Sequence, residues 1–428
     1  MPERGRLDTI RARPRLVARR FSRRLRDQII DWIAPNLRAA RTRRDPVLWL
    51  LAVGVGLAAG GGAIAFRSAI GAVQLLWLGS FGEAIASVAR AQPWWIILLA
   101  PTAGGAIVGL LLTYAMPGRR AEAVADVIEA RAIGGARIPL RRGLVSGAIA
   151  AISLGSGASA GREGPVVHLG ASLASSLGNL FRLPPAGRRT ILGCGVAGAV
   201  AASFNVPIAG VLFAHEVILG HYALSAFVPI VISSAVASVV SRLWFGDFPA
   251  FVLPAYQITS YLEFPAFALL GLTCALVAIL FQFAVMGTDW IARHIDIPLW
   301  LRPIIGGLAV GAIGIFFPEI LGVGYETTDA ALKQHLPLMT LLALIVMKTA
   351  ATAITLASRF GGGIFSPALY LGAMTGGAFR LMAASSFPDM ASCDWLYAIL
   401  SMGAVCAALL VAPISTTMIV FELTGGLA

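Results

Sequence analysis

The chain is 428 residues long, 58% hydrophobic and only 13% charged, with a formal net charge of +12. Soluble globular domains carry about 25% charged residues, so this composition excludes an ordinary soluble fold and points to a membrane protein. The cysteines Cys194, Cys274, Cys393 and Cys406 are scattered with no C-x-x-C pair, so neither a metal centre nor a disulfide framework is expected.

The positive charge is concentrated at the start. Arginines from Arg4 to Arg44 dominate residues 1–45. Such a stretch can suggest nucleic-acid binding or a targeting peptide. The simpler account is a cytoplasmic arm held inside by the positive-inside rule, next to anionic lipid. Val17, Phe21, Leu25, Ile29, Ile30 and Ile33 make part of it an amphipathic surface helix. A multi-pass cell-membrane protein with a cytoplasmic N-terminus is therefore expected, with lipid and no nucleic acid as partners. No cleavable signal peptide is visible.

Apolar runs follow at 47–78, 94–116, 144–154, 166–180, 190–202, 208–219 and 227–245, then at 264–290, 304–317, 338–356, 368–382, 395–411 and 414–423. Several reach the roughly 20 residues that a bilayer crossing needs, and others fall short. Short runs broken by glycine or proline indicate helices that stop inside the membrane, where irregular backbone survives only against protein or a wet cavity.

The chain also repeats itself. Gly161-x3-Pro165-x3-Leu169-Gly170 recurs as Gly363-x3-Pro367-x3-Leu371-Gly372, and Pro207-Ile208 followed by Glu216 recurs as Pro413-Ile414 followed by Glu422. Two motifs in the same order divide the chain into a first half, 46–250, and a second half, 251–428. If an odd number of crossings separates them, the copies are inverted and two broken-helix ends meet near the bilayer midplane. Run 227–245 has no counterpart after Glu422, so the second half is expected to lack its last helices, as in a shortened chain.

Around the first motif, Gly155-Ser156-Gly157-Ala158-Ser159-Ala160-Gly161-Arg162-Glu163-Gly164-Pro165 crowds small residues about one Arg-Glu pair. Pro165 suits the first turn of a helix, and a helix start whose free amides face a cavity is an anion site. Glu163, an ionisable group at membrane depth, reads as functional. The plainer alternative is that Glu163 only pairs with Arg162 at a solvated helix end. Ser156 between glycines, with His168 or His215 as base, also sketches an intramembrane hydrolase. No histidine stands at a telling spacing, and Ser156 reads better as a small helix-contact residue. A structural scaffold would not need the matched motifs.

Gly161-Arg162-Glu163-Gly164-Pro165, Gly363-Ile364-Phe365-Ser366-Pro367 and Phe204-Asn205-Val206-Pro207-Ile208-Ala209-Gly210 resemble the signature segments of the CLC family of chloride channels and chloride/proton antiporters. The resemblance covers about residue 47 to the end. It implies an all-α, CLC-type inverted-repeat helical bundle, a homodimer with one anion pathway per subunit, and no enzymatic activity. It also implies that Glu163 is the gating glutamate. The anion-binding set it implies is Gly161, Arg162, Gly164, Pro165 and Val166 with Gly363, Ile364, Phe365, Ser366 and Pro367, mainly through backbone amides. Chloride is then the ligand, with no cofactor. Subunit pairing is placed on 208–219, 227–245 and 414–423.

Three departures from the family pattern stand out. The first anion loop reads Ala121-Glu122-Ala123-Val124-Ala125-Asp126-Val127, with Glu122 where the family has a serine. Like charges about 4 Å apart repel by roughly 1 to 4 kcal/mol between bulk water and a protein surface. Glu122 is therefore protonated, turned away or on a displaced loop, or is simply an acid in the first turn of a helix. Second, Val217 stands where family antiporters have the inner proton-accepting glutamate. That favours channel-like conduction gated by Glu163 over chloride/proton antiport, while fluoride or nitrate transport stays open because the altered Glu122 loop is the family's selectivity region. His215, Glu216 and Glu122 stay as candidate relay residues, although Glu216 has a repeat mate in Glu422 and also suits a structural role. His168 reads as a packing or hydrogen-bonded histidine. Third, the family's pathway tyrosine has no match; Tyr370 lies near Pro367 but outside the motif.

Overall fold

Residues 45–247, 250–251, 263–386 and 395–425 are described by a computed structural model. The basic arm with its expected amphipathic helix, and Cys393, lie outside the described residues. Residues Leu51–Ala428 form one compact unit, so the two sequence halves share a single body; of the separate unit Met1–Leu50, only the opening of the first helix is described.

The first half contains α1 (Asp45–Leu78), α2 (Ile85–Arg90), α3 (Trp94–Tyr114), α4 (Val124–Ala132), α5 (Leu140–Gly155), α6 (Glu163–Leu180), α7 (Pro185–Phe204), α8 (Pro207–Phe213) and α9 (Leu224–Phe245). A π-turn, Ala214–Leu219, prolongs α8. The second half contains α10 (Phe264–His294), α11 (Arg302–Phe316), α12 (Tyr325–Leu332), α13 (Leu338–Ala357), α14 (Phe365–Ser386), α15 (Leu396–Leu410) and α16 (Pro413–Leu423). Among the described residues, five helices are long and apolar enough to cross a membrane: α1, α3, α9, α10 and α13. Strands are absent from the described residues; one isolated antiparallel bridge joins Gly161 to Gly363.

Local chemistry explains the breaks. Helix α7 ends at Asn205 and α15 at Val411, both in the left-handed region with φ of 60° and 54°. Two residues later Pro207 and Pro413 open α8 and α16, where proline's missing N–H costs nothing. Asparagine tolerates this conformation; a β-branched valine is strained in it, so the surrounding packing must hold Val411 there.

The halves are related by reciprocal contacts, the mark of a twofold relation. Helices α3 and α11 cross so closely that a Cβ on Gly105 would overlap the Pro303 carbonyl, and one on Gly307 would overlap that of Pro101. Glu422 accepts hydrogen bonds from the amides of Ile208 (3.2 Å) and Ala209 (2.7 Å) at the start of α8. Glu216 does the same for Ile414 (3.1 Å) and Ser415 (2.6 Å) at the start of α16. The inverted repeat with broken helices therefore stands as expected. Behind it, α1, α5, α6 and α7 bury Phe66, Ile70, Leu154, Val166 and Ala199 in one apolar cluster, which fixes the start of α6.

Gly105→Val and Gly307→Val should each wedge α3 from α11, and overpacking of this kind costs about 1–3 kcal/mol. Thermal unfolding in detergent should show lower midpoints for both. Gly61→Ala should leave the midpoint in place, because nothing lies within 4 Å of a Cβ there.

Candidate anion site

The approach to α6 is irregular. Helix α5 ends at Gly155, Gly157 turns the backbone with a φ of 103°, and the chain runs through buried Ser159 and Ala160 to Gly161. There Gly161 N–H donates to the Gly363 carbonyl at 2.7 Å, and Gly363 N–H donates to the Gly161 carbonyl at 2.8 Å. The bridge brings the first residues of α6 and α14 face to face.

Glu163 opens α6 and is only 5% exposed. One carboxylate oxygen accepts the Ser366 amide at 3.3 Å and the other accepts the Ser366 hydroxyl. Ser366 is the second residue of α14, so the carboxylate of one repeat rests on the unbonded amide end of the other. Helix position explains this aim: the amides that open α14 have no preceding turn to bond, and an anion is the partner they suit. Gly161 must lack a side chain, since a Cβ there would overlap the carboxylate and come within 3.0 Å of the Ser366 nitrogen.

Three cavities surround this point. The first, about 290 Å³, is lined by Glu163, Gly164, Val167, Phe204, Val217 and Gly363–Phe365, with Ala123–Ala125 on another wall. The second, about 240 Å³, is lined by Arg67, Gln74, Glu83, Arg162, Gly324 and Tyr325 among others. The third, about 350 Å³, carries Glu122, Asp126, Glu129, Arg137, Arg142 and His168.

Most of the residues expected in the anion set gather here, with different duties. Ile364 and Phe365 line the first cavity and Ser366 holds the carboxylate. The amides of Gly161 and Gly363 are not free for an anion, because each is bonded to the other's carbonyl. Nor is the Val166 amide, which donates to the Arg162 carbonyl at 3.2 Å as the first turn of α6 closes. Pro165 and Pro367 follow the seat in their helices and bring no N–H. Arg162 must be corrected as well. Its guanidinium donates to Glu83 at 2.7 Å and to the Ser203 carbonyl at 3.3 Å, and it lies over the Tyr325 ring at 4.9 Å. Adjacent residues at a helix start point in different directions. Arg162 thus serves the second cavity, and its partner is Glu83 and not Glu163.

Glu122 is turned away from the first cavity. Its carboxylate lies 3.1 Å from His168 Nε2 and 3.7 Å from the Arg142 guanidinium, and its amide donates to the Ser146 hydroxyl at 3.1 Å. It also precedes the helix instead of sitting in its first turn. Asp126 occupies that turn, and its carboxylate accepts the Ala123 amide at 2.8 Å. The fully buried His168 has a carboxylate companion that its apolar sequence neighbours did not announce.

Of the possible pathway residues in the π-turn, Val217 lines the first cavity, and the relay candidates His215 and Glu216 do not. His215 donates through Nδ1 to the His221 carbonyl at 2.8 Å and stacks on Tyr222 and Phe227. The Glu216 carboxylate is committed to the start of α16. Consecutive residues on a helical turn face different ways, so three neighbours in sequence meet three environments. The Ser156 hydroxyl donates to the Ser153 carbonyl at 3.0 Å, a helix-end contact and not a nucleophile's. Three further charges went unnoticed in the sequence: Arg67, Glu83 and Lys348. Two had a visible signal, since Arg67 and Lys348 are isolated charges inside apolar runs.

Hydrogen bonds to a charged group contribute about 1.5–3 kcal/mol, so Glu216→Ala and Glu422→Ala should each lower the thermal midpoint in detergent. Glutamine at either position should restore part of the loss, because its amide oxygen still accepts one N–H.

Comparison with known proteins bears on this geometry. The family model described as voltage gated chloride channel matches residues 104–428. A ClcB-like chloride channel protein of Ralstonia nicotianae is 33% identical over 374 residues, 86% of this chain and 87% of that protein. The chain spans about half the length of two similar plant proteins, the Arabidopsis thaliana chloride channel proteins CLC-e and CLC-f. Among solved structures, a slow cyanobacterial Cl-/H+ antiporter superposes with a TM-score of 0.77 at 22% identity, covering 88% of this chain and 89% of that one. A CLC-type fluoride/proton antiporter gives 0.73 at 24% identity, covering 89% and 91%.

Proposed function

The chain belongs to the voltage-gated chloride channel family, and from that premise we propose that it conducts chloride or a similar small anion across a cell membrane, with Glu163 as the gate. The observation that carries this reading is the Glu163 carboxylate resting on the amide and hydroxyl of Ser366. A carboxylate is itself an anion, so a seat that holds it suits chloride equally, and the two compete. Ionised Glu163 fills the seat. Protonation removes its charge-assisted hydrogen bonds, which are roughly twice as strong as neutral ones, and the side chain leaves. The Ser366 amide and hydroxyl, with the amides of Ile364 and Phe365 at the start of α14, then face the anion. The apolar walls of the first cavity keep water from screening them.

Conduction is uncoupled from protons in this proposal. The support is Val217, which stands on the wall of the first cavity and has no atom that binds a proton. A second reading, exchange of chloride or fluoride against protons, is favoured by the Glu122–His168 pair, a carboxylate and an imidazole 3.1 Å apart beside the third cavity. Solved proteins of the same fold carry the titles Cl-/H+ and fluoride/proton antiporter. The working unit is a homodimer in the cell membrane, paired through 208–219, 227–245 and 414–423, where Ile208, Phe227, Val231 and Ile414 expose apolar side chains. The arm before Asp45 stays cytoplasmic by its arginines. No enzymatic step, cofactor or nucleic acid enters this function.

Chloride efflux from proteoliposomes, with pH recorded at the same time, tests both readings. Wild-type efflux should rise on acidification, and Glu163→Gln should conduct at every pH without that response. Proton uptake in fixed proportion to chloride would replace the uncoupled reading with the coupled one, and absence of any anion flux would remove both. Ser366→Ala loses a donor to a charged group, about 1.5–3 kcal/mol, and should weaken chloride binding about tenfold or more.

A further inference from the structure

The second cavity gathers charges that the gate does not use. Arg67 projects from α1, otherwise apolar over most of its length, and its guanidinium lies over the Phe245 ring at 4.2 Å. Arg162, 7% exposed, is steadied by Tyr325 beneath it, and its Nε is buried without a hydrogen-bond partner. Both guanidiniums converge on a single oxygen of Glu83, at 2.9 Å from Arg67 and 2.7 Å from Arg162. Glu83 comes from the connection between α1 and α2 and is 41% exposed, so it stands at the mouth while Arg162 lies beneath it.

A buried lysine backs the wall. Lys348, in the middle of α13 and fully buried, donates to the carbonyls of Ile320 and Gly322, each at 2.9 Å. A Cβ built on Gly324, a residue of the cavity wall, would come within 3.4 Å of the Lys348 amine. On the cavity lining itself, the guanidiniums of Arg67 and Arg162 outnumber the single carboxylate of Glu83. Low-dielectric walls focus such an excess and raise the local concentration of anions.

We propose that the second cavity is a binding site for one small monovalent anion, held by Arg67 and Arg162 and occluded at rest by the Glu83 carboxylate, which the anion displaces. The site rests on the reading of the chain as an anion path and adds a second carboxylate stopper to it. Glu83 does at the mouth what Glu163 does on Ser366: it fills an anion seat until an anion takes its place. Arg162 is adjacent to Glu163 in the chain, so an anion held there waits next to the gate. A halide with part of its water fits a space of about 240 Å³. Lys348 lies behind the wall and is a positioning residue for the loop that it holds.

Bromide titration calorimetry on the full chain in detergent tests this, with four proteins: wild type, Glu83→Gln, Glu83→Gln with Arg67→Gln, and Glu163→Gln. Removing the occluding charge should tighten bromide binding by about tenfold, the factor that 1.4 kcal/mol supplies, and adding Arg67→Gln should cancel that gain. Unchanged bromide affinity in Glu83→Gln would overturn the site and leave Glu83 as an ion-pair strap. Glu163→Gln reports on the gate separately: a gain there without one in Glu83→Gln keeps the gate and removes this site, and the opposite pattern does the reverse. Unfolding midpoints check that each variant is folded. If Glu83→Gln is not, Glu83→Asp takes its place: its shorter carboxylate should give a smaller gain, and no gain would equally overturn the site.

Discussion

Two backbone hydrogen bonds hold the centre of this protein together. Gly161 and Gly363 exchange N–H and carbonyl at 2.7 and 2.8 Å, and everything at the candidate site follows from that exchange. It consumes two amides that would otherwise compete for an anion. It also sets the start of α6 against the start of α14, close enough for Glu163 to reach Ser366. Buried backbone groups in a membrane must find partners within the protein, and here the partners are the equivalent residues of the two repeats. The amides that open α14 face the Glu163 carboxylate, and that of Ser366 donates to it.

The interior charges obey the same accounting. An unpaired ion at membrane depth is expensive, so each one found here has a specific partner. Glu216 and Glu422 each accept two amides at the start of the other repeat's helix. Glu83 takes two guanidiniums, Glu122 a histidine and, farther off, an arginine, and Lys348 two carbonyls. Breaking such a pair leaves a buried charge uncompensated, which is why these groups hold the fold as well as tune the path. The caps on α8 and α16 serve the architecture. Those around Arg162 and Glu163 form the seats proposed for an anion.

The walls of the first cavity bear on the proposed mode of transport. Val217 reaches it, whereas its neighbours His215 and Glu216 are engaged elsewhere. A proton entering this cavity meets Glu163 as the titratable side chain on its lining, with aliphatic and aromatic groups around it. Glu122 and His168 belong to a different cavity, beyond the start of α4. The Glu122–His168 pair is thus separated in space from Glu163, and the two proposed readings divide along that separation.

By itself the sequence determined the membrane class, the duplicated unit and the two broken-helix starts. Composition, apolar run length and glycine–proline punctuation are local properties, readable without knowing what packs on what. Glu163 was legible for the same reason: a carboxylate among glycines before a helical proline is costly anywhere in a bilayer. Tertiary structure alone decided partners. Arg162 stands next to Glu163 in the chain yet pairs with Glu83, 79 residues away, because successive side chains at a helix start diverge. Glu122 left the anion path for His168, and Glu216 joined its repeat mate in capping helices, for which the matched spacing was the only hint. Lys348 and Arg67 were visible as charges in apolar runs, but the cavity that Arg67 lines is made by α1, the connection after it, Arg162 just before α6, the end of α9 and the start of α12 converging. Convergence is a property of the packed chain, and no run of neighbouring residues encodes it.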